Sequence, residues 1–399
     1  MGASLRHRSA DPRDPEFYGD PYRFYSDLHA AGDSTFFWEE YGFWVAAGFD
    51  EVNAILRDRR FGRAAGLPER TPRIANWWET ERWSLLAIDP PEHTQLRGLV
   101  NRAFLSRQIE GLRPRIHALA SQMIDGFVAD GAVDLHPAYA APLPAIVIAE
   151  MIGLPAEMAP QLLDWSNTMV RMYMFGVDET VEADADRAAA EFVAYVREVI
   201  AERRADPQPD LLTHMLETEV DGQRLSDGEV IATTILLLNA GHEATVHTTG
   251  NAVTTILRSG LDPATLFADE TQTEATVEEC LRYDAPVHLF TRFALEDVEL
   301  PSGLRLAAGD QIGVLLGAAN RDPRRFERPD EFDPFRSDIG NISFGAGIHF
   351  CIGAPLARLE LQTSLRLLFE RLPGLHLTAE PRYRDIYHFH GLDSIDLAW

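Results

Sequence analysis

The chain has 399 residues, 46% of them hydrophobic, so it can bury a large core. Its formal net charge of -26 argues against nucleic acid or an anionic membrane as the main partner. Only two cysteines are present, which excludes a disulfide framework and fits a reducing cytoplasm. The first ten residues lack the apolar core of a signal peptide, and no uncharged apolar run reaches the length of a membrane span. No linker or repeat divides the chain, so we expect one domain over residues 1–399. We also expect the protein to be a monomer and to be located in the cytoplasm.

The first sixty residues indicate two helices around a small hairpin. Residues 21–31 have the pattern of a short helix, and the aromatic stretch 36–46 predicts a hairpin. Asp50 is expected to cap the next helix, whose inward residues are Val52, Ile55 and Leu56. That helix ends in a basic run, which consists of Arg57, Arg59, Arg60 and Arg63.

Residues 66–86 lack clean periodicity and carry Trp77, Trp78 and Trp83. Such tryptophans are either a satellite core or the wall of an apolar pocket. Asp89 then predicts a sharp helix start, with prolines in the first turn. His93 and Arg97 follow on one face of this helix, because residues four apart are neighbours.

Helical patterns continue over residues 106–129, 146–152, 158–173 and 181–200. Methionines cluster near the end of the third pattern, at Met169, Met172 and Met174. Methionine most often fills gaps in a core, but it also lines adaptable binding surfaces.

A long helix is predicted from the capping box Ser226–Glu229 to about residue 258. Its centre is apolar, yet it continues through Gly241, His242 and Glu243. A glycine inside a helix costs about 1 kcal/mol relative to alanine, and an unpaired buried carboxylate costs several. So many local penalties in one place indicate a functional site. A zinc-protease site is excluded, because His242 and His247 are five residues apart and do not share a helix face.

The last third contains a Glu279/Arg282 pair on a helix, a β-like stretch with Thr291 and Arg292, and a proline-rich segment over residues 320–336. Cys280 lies within the helix and is interpreted as core. Cys351 instead lies in a glycine-rich loop, just before a helix in which Pro355 is near the first position. Gly345, Gly347 and Gly353 are expected to allow turns and close backbone approach. Free amides at a helix start lower the pKa of a thiol and favour the thiolate.

The loop from Phe344 to Gly353 has every fixed position of Phe-Gly-x-Gly-x-His-x-Cys-x-Gly, and it resembles the haem-binding signature of the cytochrome P450 family. The resemblance implies haem b, iron protoporphyrin IX, with Cys351 as the axial thiolate ligand of the iron. It also implies that His349, His93, Arg97 and Arg292 bind haem propionates. The same resemblance places Phe344, Gly345 and Gly353 in the cofactor-binding loop.

Three other elements resemble the family. Residues 240–245, Ala-Gly-His-Glu-Ala-Thr, are similar to its oxygen-binding helix, which implies catalytic roles for Gly241, Glu243, Ala244 and Thr245. One position differs from the family pattern. Ala244 stands where the family usually has a threonine, which holds water for proton delivery. Glu279, Arg282 and Arg336 match a buried structural triad. The family's substrate pocket implies an apolar lining, given by Trp77, Trp78, Met172, Leu237, Ala240, Val287, Phe290 and Leu392, with one polar contact from His288 or His390.

The resemblance therefore implies a mainly α fold with a small β-rich region, near residues 36–46, 287–313 and 375–398. The expected activity is a monooxygenase reaction, in which one atom of O2 enters an apolar or aromatic organic substrate. The chain has no dinucleotide-binding fingerprint, so electrons from NAD(P)H are expected through a separate ferredoxin or flavodoxin. A basic patch of Arg57, Arg59, Arg60, Arg63, Arg102, Arg107 and Arg358 is the predicted docking surface. Two alternatives remain at this point: a haem-thiolate peroxygenase that uses H2O2, and a haem protein that senses a ligand or gas without catalysis.

Overall fold

The computed structural model describes residues 6–104, 109–220 and 223–399. Helices dominate these residues. The α-helices are Pro15–Gly19, Tyr22–Ala31, Phe49–Arg57, Ala75–Glu81, Glu92–Val100, Arg113–Phe127, Pro142–Ile152, Ala159–Val170, Glu179–Ala205, Leu211–Glu217, Asp227–Ser259, Pro263–Leu266, Glu270–Tyr283, Leu316–Ala319 and Ala354–Arg371. Short 3-10 turns include Ala64–Gly66, Pro72–Ile74, Arg171–Tyr173 and Gly347–His349.

The strands are short. They are β1 (Arg6–Arg8), β2 (Thr35–Trp38), β3 (Phe43–Ala46), β4 (Phe61–Gly62), β5 (Ala132–Asp134), β6 (Glu219–Val220), β7 (Gln223–Arg224), β8 (Leu289–Ala294), β9 (Val298–Glu299), β10 (Arg305–Leu306), β11 (Gln311–Leu315), β12 (His376–Leu377), β13 (Arg382–Tyr383), β14 (Leu392–Ser394) and β15 (Asp396–Ala398). The prediction of a mainly helical fold with a small β-rich part is confirmed, and strands are present near residues 36–46, 287–313 and 375–398. Among the described residues, no helix combines the length and the apolar character that crossing a bilayer requires.

One six-stranded sheet joins distant parts of the chain, in the order β1-β2-β3-β11-β8-β4. The aromatic hairpin is its centre: β2 and β3 are antiparallel, and β3 runs parallel to β11 with Trp44 opposite Ile312. β8 lies antiparallel to β11 and places Arg292 opposite that same Ile312. The sheet thus fixes the position of the Arg292 strand.

The chain separates into two compact units. The first contains residues 6–62 together with Arg113–Ala140 and Ala244–Trp399. The second contains the described residues of Arg63–Leu112 and Ala141–Glu243. The long helix Asp227–Ser259 contributes its first half to the second unit and its second half to the first. The single-domain expectation stays a prediction.

Apolar packing on the sheet organises the first unit. Val52, Ile55 and Leu56 of helix Phe49–Arg57 are buried in a cluster with Ile312 and Val314 of β11. A second, aromatic cluster surrounds Trp38 and includes Phe17, Tyr25 and Phe36. Tight side-chain interdigitation of this kind holds the elements in one arrangement.

Polar contacts position the tryptophan segment within the second unit. Asp186, on helix Glu179–Ala205, accepts a hydrogen bond from the backbone N–H of Trp77 at 3.0 Å. The side chain of Trp165 stacks on Phe192, with ring centroids 5.1 Å apart. The hydrogen bond from Trp77 therefore attaches the tryptophan segment, residues 66–86, to helix Glu179–Ala205, the longest helix that lies wholly inside this unit.

Several local predictions are wrong. Helix Phe49–Arg57 has Gly48 at its N-cap, and Asp50 makes no capping bond. Asp89 does not cap its helix either, because its carboxylate accepts hydrogen bonds from the N–H groups of Arg63 and Ala64 at 2.9 Å. Residues 75–81 are helical although they lack a clean apolar period. The predicted start of the helix at residues 106–108 lies outside the described residues.

Candidate active site

The cysteine loop, defined as residues 343–353, folds back on itself. The Cys351 N–H donates to the Phe344 carbonyl at 3.0 Å. Gly345 and Gly347 have φ of 69° and 72°, the left-handed region that favours glycine. A Cβ on Gly347 would lie 2.1 Å from the carbonyl oxygen of Leu56, so the loop contacts the end of helix Phe49–Arg57 through bare backbone.

Helix Ala354–Arg371 begins directly after the loop and places the Cys351 thiol, which is partly exposed, beside the N-terminus of the helix. Gly353 is the N-cap with φ of -81°, and a Cβ there would meet only the Cys351 sulfur at 3.9 Å. The expectation that Gly353 needs glycine's conformational freedom is therefore wrong. The setting still favours a thiolate at Cys351.

The other thiol has the opposite environment. Cys280 is 2% exposed in the last turn of helix Glu270–Tyr283. Burial, and then the neighbouring Glu279 carboxylate, raise the pKa of this thiol well above its usual range. A thiol that keeps its proton is a poor iron ligand, so the structure favours Cys351 over Cys280.

Arg358 contacts the cysteine loop from the helix that follows it. Its guanidinium binds both oxygens of Glu278, with Nη2 to Oε2 at 3.0 Å, and lies 4.5 Å from the centroid of the Phe344 ring. Sequence spacing gave no signal for this pair, because Glu278 and Arg358 belong to helices far apart in the chain. The part of Arg358 in the docking patch stays a prediction.

The structure brings Glu279, Arg282 and Arg336 together. Glu279 and Arg282 are fully buried, and both guanidinium contacts to the carboxylate are 2.8 Å long. Arg336 Nε donates to the same carboxylate at 2.9 Å. Arg282 also donates to the carbonyls of Asn320, Pro329 and Glu331 in the proline-rich segment. Two buried guanidinium groups and further hydrogen bonds therefore compensate the buried carboxylate, as such a group requires.

The remaining candidates of the first unit lie on β8 and the C-terminal tail. Arg292 is 5% exposed, and its Nη1 donates to the Thr291 carbonyl at 2.9 Å. Val287 forms an isolated β-bridge with Phe389, which joins the predicted pocket segments; Phe290 is partly buried and Leu392 is buried. His349 ends the 3-10 turn before Cys351.

His288 and His390 are both buried, and the predicted polar contact of one of them with a substrate stays a prediction. His288 Nδ1 lies 2.7 Å from the Tyr25 hydroxyl, and Nε2 lies at the longer distance of 3.4 Å from that of Tyr22.

The long helix opens with the predicted capping box, in which the Ser226 N–H donates to the Glu229 carboxylate at 2.8 Å. Most of its central residues are buried, including Leu237, His242, Glu243 and Thr245. Ala240 is exposed, and Gly241 and Ala244 are partly exposed, so the helix keeps one open strip of small residues.

On the C-terminal side of this strip, two threonine side chains donate hydrogen bonds to backbone carbonyls one turn earlier in the helix. Thr248 Oγ1 donates to the Ala244 carbonyl at 2.6 Å, and Thr249 Oγ1 donates to that of Thr245 at 2.9 Å. A Cβ on Gly241 would lie 2.8 Å from Ile148 Cγ1, so glycine permits close packing against helix Pro142–Ile152.

In the second unit, His93 is buried and Arg97 is partly buried, one turn apart on helix Glu92–Val100. Trp77 is buried, while Trp78 donates from Nε1 to the Pro68 carbonyl at 2.9 Å. Met172 is partly exposed in the 3-10 turn Arg171–Tyr173.

A buried polar group that the sequence did not indicate lies near these residues. Tyr173 donates to Glu81 at 2.8 Å, and Arg63 Nε donates to the Leu86 carbonyl at 2.8 Å. Burial lowers the pKa of Arg63 and raises that of Glu81. Arg63 is thus engaged inside this unit and does not extend the basic run Arg57, Arg59 and Arg60. Arg107 lies outside the described residues, and the side chain of Arg102 is likewise not described.

Comparison with known proteins agrees with this geometry. The family model for cytochrome P450 matches residues 269–376. Cytochrome P450 107B1 of Saccharopolyspora erythraea is 39% identical over 371 residues, which is 88% of each chain. The biotin biosynthesis cytochrome P450 of Bacillus subtilis is 34% identical and covers 96% of this chain and 97% of its own. The crystal structure of P450BioI in complex with hexadec-9Z-enoic acid ligated acyl carrier protein superposes with a TM-score of 0.92, at 33% identity, over 96% of this chain and 100% of that chain.

The chain therefore belongs to the cytochrome P450 family. It is an oxidoreductase of the monooxygenase class, as its relatives are. The family implies a haem-thiolate cofactor, and the residues present suit that group. They offer a partly exposed thiol at a helix start, a second thiol that is buried and protonated, and a buried arginine on β8.

Proposed function

We propose that this protein inserts one atom of O2 into a small or medium-sized, largely apolar or aromatic organic molecule, a hydroxylation in its simplest form. The observation that carries the proposal is the environment of Cys351. Its thiol is partly exposed beside a helix N-terminus, in a loop that two left-handed glycines shape.

Cys351 is the proposed axial ligand of haem b. When bound, thiolate-ligated haem supplies the chemistry of O–O bond cleavage. His349 and Arg292 from the first unit, and His93 and Arg97 from the second, are the proposed ligands of its propionates. Arginine suits this role, because its planar guanidinium can bind a carboxylate through two hydrogen bonds.

Proton delivery is proposed to depend on the open strip of the long helix. Glu243 is 6% exposed and carries the only carboxyl group among residues 237–249, so it is the candidate proton relay. Ala244 has no hydroxyl to hold a water. The side chain of Thr245 is rotated by about 100° around the helix from that of Ala244, so the Thr245 hydroxyl cannot hold a water in the same position. We infer that the ordering group comes from the substrate, or from a water held by His242 or Asn239.

The proposed substrate is apolar because the predicted lining residues are apolar. In the second unit they are Trp77, Trp78, Met172, Leu237 and Ala240, and in the first they are Val287, Phe290 and Leu392. One structural neighbour was crystallised with a fatty acid on an acyl carrier protein, so free and carrier-bound acyl chains belong among the compounds to be screened. Electrons are proposed to come from NAD(P)H through a separate ferredoxin or flavodoxin. The protein is proposed to be a monomer located in the cytoplasm.

The test compares three ways of driving the purified haem-loaded protein. Substrates are first found by the shift of the haem Soret band that they cause. Each is then incubated with NADH and a surrogate ferredoxin and reductase, with H2O2 alone, or with neither. Product only in the first reaction, with one atom from 18O2, supports the proposal. Product only with H2O2 identifies a peroxygenase, and spectral shifts without any product identify a ligand sensor.

A further inference from the structure

A cluster of metal-ligand residues lies in the first unit, outside the proposed haem site. Asp284, His288 and His390 are all buried, and one ligand atom from each lies within 4.8 Å of the other two. They come from the end of helix Glu270–Tyr283, the entry to β8 and the C-terminal tail. Three such side chains from three separate elements, all with ligand atoms inward, form a preassembled donor set.

Two of the separations in this cluster are compatible with ligand spacing. Two ligands bound at about 2.0–2.1 Å to a tetrahedral ion lie about 3.3–3.4 Å apart. Asp284 Oδ1 and His390 Nε2 are 3.5 Å apart. The Tyr22 hydroxyl lies 3.0 Å from Asp284 Oδ1 and 3.4 Å from His288 Nε2. The Tyr22 hydroxyl donates to Asp284 Oδ1 and accepts from the Ala285 N–H at 3.0 Å, while Tyr383 donates to Asp284 Oδ2 at 3.2 Å. A bound ion would replace the first of these bonds and leave the other two in place.

The surroundings orient the ligands as metal sites require. Metal-binding histidines usually engage a hydrogen-bond partner through the second ring nitrogen. The Nδ1 of His288 lies 2.7 Å from the Tyr25 hydroxyl, which in turn lies 2.6 Å from that of Tyr387, so Nε2 is directed toward the cluster.

An entry path is also present, although a cation lies beside it. A cleft of about 980 Å³ is lined by Tyr22, Asp284 and His390, so an ion can reach the cluster from solvent. The Arg321 guanidinium lies 3.7 Å from the centroid of the Tyr22 ring. This cation opposes the binding of a dication, so the negative charges of the Asp284 carboxylate and the Tyr22 phenolate are needed to hold the ion.

We propose that Asp284, His288 and His390, with Tyr22 as fourth ligand, form a structural site for a zinc-class divalent cation. The ion binds the carboxylate, two neutral imidazoles and the phenol oxygen, and the phenol proton passes to solvent. It connects helix Tyr22–Ala31 to the two segments that the Val287–Phe389 bridge joins. Bound metal therefore stiffens both segments.

The experiment uses the haem-loaded full chain. The protein is stripped with a chelator, incubated with zinc chloride and gel-filtered, and its zinc content is measured by mass spectrometry against haem. We expect about one tightly bound zinc ion per protein, and X-ray absorption at the zinc edge should show two imidazoles. Asp284→Asn and His390→Gln should lose this zinc. Tyr25→Phe should weaken affinity about 10–100-fold without changing saturation.

His376→Gln is the matched control, because His376 is exposed and its Nδ1 lies 2.9 Å from the Gly374 carbonyl, away from the cluster in the chain. This variant should bind zinc as the wild type does. The proposal is overturned if wild-type protein retains no zinc, if Asp284→Asn and His390→Gln retain as much as the control, or if the absorption spectrum lacks histidine ligands. The spectrum of wild-type protein decides the question even if a variant fails to fold.

Discussion

At the residue scale, the two cysteines differ in the property that a ligand needs. Cys351 lies partly exposed just before the start of helix Ala354–Arg371, whereas Cys280 is buried next to a carboxylate. Cys351→Ser should keep much of the fold but lose the thiolate-type spectrum of the reduced CO complex, because a serine oxygen is not a thiolate. Cys280→Ser is the matched control and should keep that spectrum. The reverse result would make Cys280 the ligand.

A second residue-scale prediction concerns Ala244. If the substrate supplies the missing hydroxyl, substrates without a polar group should be poorly coupled, with NADH consumed and H2O2 released. Ala244→Thr should then raise the product formed per NADH for such substrates and change little for the native one. Glu243→Gln should lower turnover with both. Tight coupling of wild-type protein with purely apolar substrates, and full turnover of Glu243→Gln, would refute the idea.

Glu360 gives a prediction about pH. This side chain is 2% exposed, and its Oε2 has no hydrogen-bond partner among the described residues. Burial raises the pKa of its carboxyl to about 8, while that of the unfolded chain stays near 4.5. The folded state therefore keeps a proton that the unfolded state loses. The contribution of Glu360 to stability is full below pH 4.5 and declines as pH rises toward 8.

Glu360→Gln should thus flatten the pH dependence of the free energy of unfolding over that window, by up to roughly 1.4 kcal/mol per pH unit. Urea titrations at a series of pH values measure this slope. Glu370→Gln is the control, because Glu370 is exposed and pairs with Arg366. Equal slopes in wild type and Glu360→Gln would show that Glu360 does not titrate as inferred.

At the scale of elements, Gly347 connects the cysteine loop to helix Phe49–Arg57. Gly347→Ala would put a Cβ 2.1 Å from the Leu56 carbonyl oxygen and would add left-handed strain. Gly303→Ala is the matched control, since its φ is 83° and nothing lies within 4 Å of a Cβ there. The control should lose about 1–2 kcal/mol of unfolding free energy. Gly347→Ala should lose clearly more and release haem faster, which competition with apomyoglobin measures; equal losses would contradict the argument.

Sequence patterns predicted the elements where a periodic apolar face or a cap decides the structure. The long helix and its Ser226 box are examples, as is the hairpin of β2 and β3. They failed where a distant residue competes for a local group. Asp89 has the position of a helix cap, yet its carboxylate binds the amides of Arg63 and Ala64, which no local pattern reveals.

The site residues divide in the same way. Those defined by local spacing can be predicted from the sequence, and those that depend on contacts between distant segments cannot. The spacing of the cysteine loop is local, so Cys351 and its glycines stand out in the sequence. The Glu278–Arg358 pair and the buried Glu81–Tyr173 contact depend on packing between distant segments. The basic run in the sequence predicts that Arg63 extends a surface patch. Composition cannot show that the Arg63 side chain turns inward in the folded protein.

At the scale of the whole molecule, a formal charge of -26 opposes the approach of an acidic electron donor. Among the described residues of the predicted patch, Arg57, Arg59 and Arg60 are exposed to solvent. Arg57→Glu with Arg59→Glu should slow reduction by a ferredoxin, most strongly at low salt. Arg305→Glu, an exposed arginine of the β9–β10 hairpin, should have less effect. Stopped-flow reduction rates that do not change in the double variant would eliminate the patch.

The pairing of β3 with β11 has a consequence for synthesis. Trp44 and Ile312 are partners, but a ribosome that adds about 5–20 residues per second reaches Ile312 on the order of tens of seconds after Trp44. During that interval the nascent hairpin exposes an aromatic edge with open hydrogen-bonding groups, the kind of surface that pairs with other chains. Fragments that stop before β11 should therefore aggregate, and chaperones that bind early should raise the yield of the intact chain.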